Sequence, residues 1–149
     1  MNLMRLFTYL ANIPVTRYSL VIPFAYIAVI YSLSSIPGSP PHDDRDWLHS
    51  ASNILFNAIH IPLYAGLTWL WRWSLSAYSD NKWLIISLAF SLTIGCGIFD
   101  EWHQSFTPYR DASLMDLMLD ATGAILALWL YSKYALAKDV TTHINYRSP

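Results

Sequence analysis

Ionisable side chains sit at helical spacings inside or beside otherwise apolar runs. Asp100, Glu101, His103 and Gln104 close one run, Asp116 and Asp120 stand in the next, and His60 and Tyr64 stand in an earlier one. Carboxylates and an imidazole so placed could work as general acid and base. Asp100, Glu101, His103 and Asp116 are the candidate catalytic residues. Asp100, His103 and Gln104 are spaced i, i+3, i+4, so they share a face if the helix continues past Phe99. Asp116 and Asp120 are spaced i, i+4, with Gly123 on the same face, and His60 and Tyr64 repeat that spacing. Arg110, between the two acidic segments, could hold a phosphate or carboxylate bidentately. Asp100, Glu101, His103 and Asp116 could also hold a divalent cation that would in turn hold a phosphate. Their spacing matches no established metal motif, so metal and cofactor stay open. The same residues could instead be internal glue, with Asp120 paired to His60 or Asp116 to Arg110.

Four apolar runs must position these groups: Tyr18 to Leu33, Ile54 to Trp71, Trp83 to Phe99 and Leu114 to Leu136. A membrane-spanning helix takes about 20 residues, so each run approaches or reaches that length. The expected fold is all-α, a polytopic four-transmembrane-helix bundle. Pro23 and Pro62 lie within runs, where a kink is the expected consequence. An Asp facing lipid near a helix centre costs about 2.5–3.5 kcal/mol, which favours polar faces turned toward one another. Gly123 would let two helices approach closely. The expected result is a polar pocket at outer-leaflet depth.

Composition agrees. Hydrophobic residues make up 54% and charged residues 13%, against about 25% charged in soluble domains. A surface with so little charge fits lipid better than water. Seven of the nine Lys and Arg residues fall on the N-terminal arm (1–17), the turn between the second and third runs, and the C-terminal tail (137–149, with Lys133 just before it). The bias places these parts in the cytoplasm, N-in and C-in, and the segments Ile36–Asn53 and Asp100–Ser113 outside. Asp46 to Leu55 reads as a short interfacial helix, and the tail from Lys138 as frayed. Trp69, Trp71, Trp73 and Trp83 near the inner turn, and Trp47 and Trp102 near the outer ends, read as interfacial anchors. The run after Arg17 is long for a signal-peptide core and reads as an uncleaved anchor. The single cysteine, Cys96, reads as a buried thiol. No basic stripe indicates nucleic acid. P-loop, dinucleotide, HExxH and nucleophile-elbow patterns are absent, which argues against a soluble enzyme. Ser34 or Ser35 could serve as a nucleophile only with His60 beside it.

The stretch DEWHQSFTPYRDASLMDLMLDATGAILALWL resembles the signature of the VanZ-like family of bacterial membrane proteins. The matching residues are Asp100, Glu101, Gln104, Phe106, Pro108, Arg110, Ser113, Asp116, Gly123 and Ala124. His60 and Tyr64 match a His-x-x-x-Tyr element of the preceding helix, and Ser34, Ser35 and Pro37 match a Ser-Ser-x-Pro element at the end of the first. Three positions depart from the pattern. Tyr109 replaces a Gly, Asp120 replaces an Asn, and Asn57 stands near a usual Lys. The resemblance covers most of residues 20–130. It implies a multi-pass protein of the bacterial inner membrane, with the signature loop on the extracytoplasmic side. It implies little chemistry; Ser34, Ser35, His60, Tyr64, Gln104, Arg110 and Asp120 are the ligand-contacting candidates. The founding member is associated with teicoplanin resistance, a property that does not transfer to this chain.

Three functions follow as expectations. The first is a cell-envelope protein whose outward acidic site binds or acts on an envelope lipid, or on a lipid-linked or phosphorylated precursor. The second is a structural or partner-binding membrane protein whose polar cluster only stabilises the bundle. The third is a transporter, disfavoured because the inner halves of the runs hold only Thr68, Ser91, Thr93 and Thr122 as polar groups and no charge. Oligomeric state is open.

Overall fold

The computed structural model describes residues 13–38 and 58–145, with side chains to Lys133. Among these the chain forms four α-helices and no strand. A 3-10 turn, Arg17–Leu20, leads into α1, Val21–Ser34. The others are α2, His60–Leu75, α3, Lys82–Gln104, and α4, Leu114–Asn145. Three segments are long and apolar enough to cross a membrane: Arg17–Ser34, Lys82–Gln104 and Leu114–Lys133. α2 has 16 residues and spans about 24 Å at ~1.5 Å per residue, short of a ~30 Å hydrocarbon core. The part of its run from Ile54 to Asn57, the segment Asp46–Leu55 and Trp47 lie outside the described residues.

The boundaries follow from local chemistry. Asn81 starts α3 as its N-cap, its side-chain oxygen accepting from the Trp83 and Leu84 amides at 3.1 and 3.2 Å. α3 continues past Phe99 to Gln104, which puts the acid and amide residues on a helix. Pro23 and Pro62 each occupy the third position of a helix, within the first turn. There a missing N–H costs nothing, so neither is an interior kink site. α4 extends to Asn145 rather than fraying at Lys138, since no Gly or Pro interrupts the residues that follow.

α2 packs against each of the other three helices, and its contact with α4 is the most extensive. Gly123 makes that contact possible. A Cβ there would lie 2.3 Å from the Ile61 carbonyl oxygen and 3.0 Å from the Ala65 nitrogen, so the two backbones touch with no side chain between them. The core collects Ile30, Tyr64, Leu67, Trp71 and Ala89. Trp71 and Trp73 are buried rather than interfacial, because α2 has neighbours on every side. The Phe24 ring meets Trp71 edge-on at 5.2 Å, and the Trp73 indole donates to the Ile13 carbonyl at 3.1 Å. Trp83 and Trp102 remain exposed, as anchors require. The outward faces of α1, α3 and α4 carry large apolar side chains such as Phe24, Leu88 and Ile125.

Candidate functional site

The antiparallel order of the helices brings the end of α1, the start of α2, the end of α3 and the start of α4 to one end of the bundle. Every candidate residue named above stands there. Asp100, Glu101, Asp116 and Asp120 are all buried, at 5%, 7%, 7% and 0% exposure. Two come from the end of α3 and two from the start of α4.

The members of this cluster are not equivalent. His60 Nδ1 donates to Asp120 Oδ1 at 2.8 Å, tying α2 to α4. The His60 and Tyr64 rings lie parallel, 2° apart in plane, with centroids at 6.0 Å. Gly97 of α3 makes room for this pair. A Cβ on it would lie 2.7 Å from Asp120 Oδ2. Gln104 Nε2 donates to Asp100 Oδ2 at 3.0 Å along one face of α3. Glu101 Oε2 accepts the Ser113 amide at 2.6 Å, which fixes the α3–α4 turn against the start of α4. Asp116 stands in the first turn of α4, where the helix dipole favours a carboxylate.

Among the described residues, each of the four acids has a buried oxygen with no hydrogen-bond partner: Asp100 Oδ1, Glu101 Oε1, Asp116 Oδ1 and Asp120 Oδ2. Ser34 Oγ, the Tyr64 hydroxyl and His103 Nδ1 are also buried and unpartnered. Native interiors leave few such atoms, and here they gather at one end. His103 does not share the carboxylate pairing of Asp100 and Gln104. Its ring is half-buried and tilts against Tyr31 of α1 at 4.2 Å. Ser35 is exposed, and its hydroxyl donates to the Tyr31 carbonyl at 2.7 Å. Among the described residues neither Ser34 nor Ser35 is bonded to His60, whose Nδ1 is committed to Asp120. No activated serine is therefore assembled.

Arg110 is half-buried in the α3–α4 turn, and among the described residues it makes no ion pair, with Asp116 or otherwise. Its neighbour Tyr109 has φ 59°, the left-handed region that a Gly would adopt freely. The reason is close packing with the end of α1. The Gly38 amide donates to the Pro108 carbonyl at 3.0 Å, and a Cβ on Gly38 would overlap the Tyr109 carbonyl. Among the described residues no three His, Cys, Asp or Glu side chains are placed to share a metal ion.

The sequence does not single out Tyr31, Phe99 and Cys96 as neighbours of this site. With Tyr64 and Asp100 they line a cleft of about 280 Å³ between α1 and α3. Cys96 is half-buried, not enclosed. Aromatic and aliphatic residues in a membrane helix carry no mark that separates a cleft wall from a lipid-facing surface.

No curated protein and no solved structure matched the chain. The family model described as VanZ/LLP1 matches residues 3–137. That match covers α1, α2 and α3 whole, α4 as far as residue 137 and every residue of the acidic end described here, and the chain therefore belongs to the VanZ/LLP1 family, whose members are membrane proteins.

Proposed function

We propose that this protein holds the polar head of an envelope lipid, or of a lipid-linked precursor, in the acidic cluster, by binding alone or with acid–base chemistry. The observation that carries this reading is the set of four buried carboxylates, each with one oxygen unpartnered. Burying a charged group without a partner is costly, and ionisable residues at membrane depth are retained where they serve transport, catalysis or ligand contact. Four unpartnered acceptors at one end of the bundle call for a donor-rich ligand. Arg110 would meet a phosphate or carboxylate of that ligand. In this reading the chain crosses a bacterial inner membrane four times, α2 being extended by the residues before His60. Both termini lie in the cytoplasm, following the Lys and Arg bias. The cluster then opens on the extracytoplasmic side, at headgroup depth.

Glu101→Gln and Asp116→Asn test the proposal. Native mass spectrometry of the protein in lipid nanodiscs reads which cell-derived lipid is retained. Each hydrogen bond to a charged group is worth about 1.5–3 kcal/mol, so each variant should weaken retention by roughly 10- to 100-fold at unchanged folded yield. Equal retention by parent and variants removes the reading.

A second reading, a structural or partner-binding protein, draws on the His60–Asp120 and Glu101–Ser113 bonds, which brace helices and turn. It requires that the same substitutions lower folded yield, with any loss of function tracking lost protein.

A further inference from the structure

The cleft between α1 and α3 is lined mainly by apolar residues, with Ser91 at one end and Asp100 at the other. Its walls are Ile27 and Ile30 of α1 and Leu92, Gly95 and Cys96 of α3. From Ser91 to Phe99 it runs about 12 Å at ~1.5 Å per residue. Its volume is about 280 Å³, roughly twice that of a cavity that admits one benzene, so it has room for part of one hydrocarbon chain. The space beside Gly95 is open, since a Cβ there would meet nothing within 4 Å. The rim is exposed at Leu92, Phe99 and Tyr31, on the flank of the bundle rather than at its end. Near the acidic end the two helices touch through Tyr31, whose ring lies 6.5 Å from Phe99 and 4.2 Å from His103.

Two buried polar atoms mark that end of the cleft. Tyr64 is 1% exposed and Asp100 is 5% exposed. Both line the cleft, and both the Tyr64 hydroxyl and Asp100 Oδ1 are unpartnered. A carboxylate oxygen only accepts hydrogen bonds. Asp100 is the acid that lines the cleft, and buried Glu101 follows it on α3. An anion placed there would meet like charge, whereas a hydroxyl or an ammonium group would be favoured.

We propose that this cleft admits the chain of a single-chain amphiphile sideways from the bilayer, and presents its head, a hydrogen-bond donor without negative charge, to Asp100 and Tyr64. The inference rests on the lipid-binding reading above and adds the route and the head chemistry. An anionic group, if the ligand has one, lies farther from the chain, toward Arg110.

Photolabelling tests it. The protein is placed in phosphatidylcholine nanodiscs doped in turn with three probes that share one diazirine-bearing alkyl chain: an alcohol, an amine and a phosphate. Peptide mapping then gives the label on Ile27–Tyr31 and Leu92–Phe99 relative to that on Ile125–Trp129, a face of α4 with exposed Ile125 and Trp129. The expected ratio is several-fold higher for the alcohol and the amine than for the phosphate. Gly95→Phe, which fills the cleft, should lower both to the phosphate value. Gly95→Ala, too small to fill it and compatible with a helix, should keep the parent pattern and controls for folding. Equal ratios for the three probes, or parent-like ratios in folded Gly95→Phe, overturn the proposal. If Asp116→Asn loses its co-purifying lipid while the cleft is never enriched in label, the lateral route falls and the acidic site stands. If the cleft is labelled selectively while Glu101→Gln and Asp116→Asn retain lipid, the cleft stands and those two acids are not ligand contacts.

Discussion

Near the short α2–α3 turn, polar side chains mostly close their hydrogen bonds on the protein itself. Ser74 donates to the Leu70 carbonyl at 2.8 Å and Tyr78 to the Arg17 carbonyl at 2.6 Å. Deeper in the bundle, Thr68 donates to the Tyr64 carbonyl at 2.7 Å. Its oxygen lies 3.0 Å from that of Thr93, which donates to the Ala89 carbonyl at 2.8 Å. The Arg72 guanidinium lies over the Tyr131 ring at 3.6 Å. Only Trp71 Nε1 and Arg72 Nε are unpartnered among the described residues there. At the opposite end, acids from two helices each have a buried oxygen that is unpartnered among the described residues. Both regions are buried and both are held by short bonds, so burial alone does not separate scaffold from site. What separates them is whether the hydrogen-bonding capacity is used up inside the chain. Natural proteins break that rule chiefly where they function.

Substitutions can break this contrast or sharpen it. The largest effect is expected at the His60–Asp120 ion pair of the acidic end. His60→Ala leaves Asp120, at 0% exposure, without its ion partner, and should cost about 3–5 kcal/mol. Thermal unfolding in nanodiscs would read it as a large fall in Tm, and a near-parent Tm would mean that Asp120 is not held as a charged partner of His60. In the satisfied region, Thr68→Val with Thr93→Val removes both members of a pair and leaves no side-chain donor stranded. Interhelical polar contacts of this kind are worth ~0.6 kcal/mol on average in membranes. The double variant should therefore lose about 1 kcal/mol or less, and a loss as large as that of His60→Ala would erase the distinction drawn here. The smallest effect concerns the turn between α3 and α4. Tyr109→Gly relieves a left-handed residue and should gain about 1 kcal/mol, less the backbone entropy of Gly. A drop in stability would show that the Tyr109 side chain contributes more than its backbone costs.

Much of this arrangement is legible in the residues. The apolar runs, the continuation of α3 through Asp100 and Gln104, and the gathering of acids at one end follow from hydrophobic length and i, i+4 spacing. The resemblance places Tyr109 where a Gly is usual, and the structure adds that its φ is 59°. Trp71 and Trp73 mislead, because the same indole serves as a membrane anchor or as core, and only the number of helices around α2 decides which. The tail misleads for a related reason: polarity suggests fraying, yet nothing in the residues after Lys138 breaks a helix before Asn145.

The sequence by itself determined which side chains share a helix face and which end of the bundle they reach, because helical periodicity and apolar length are local properties. Only the tertiary structure decided that Asp120 pairs with His60 while, among the described residues, Asp116 does not pair with Arg110, and that a cleft between α1 and α3 reaches Asp100. Those outcomes depend on how near and at what rotation helices meet. That is set by contacts between residues far apart in the chain, Gly123 against Ile61 and Gly97 against Asp120, which no spacing rule encodes.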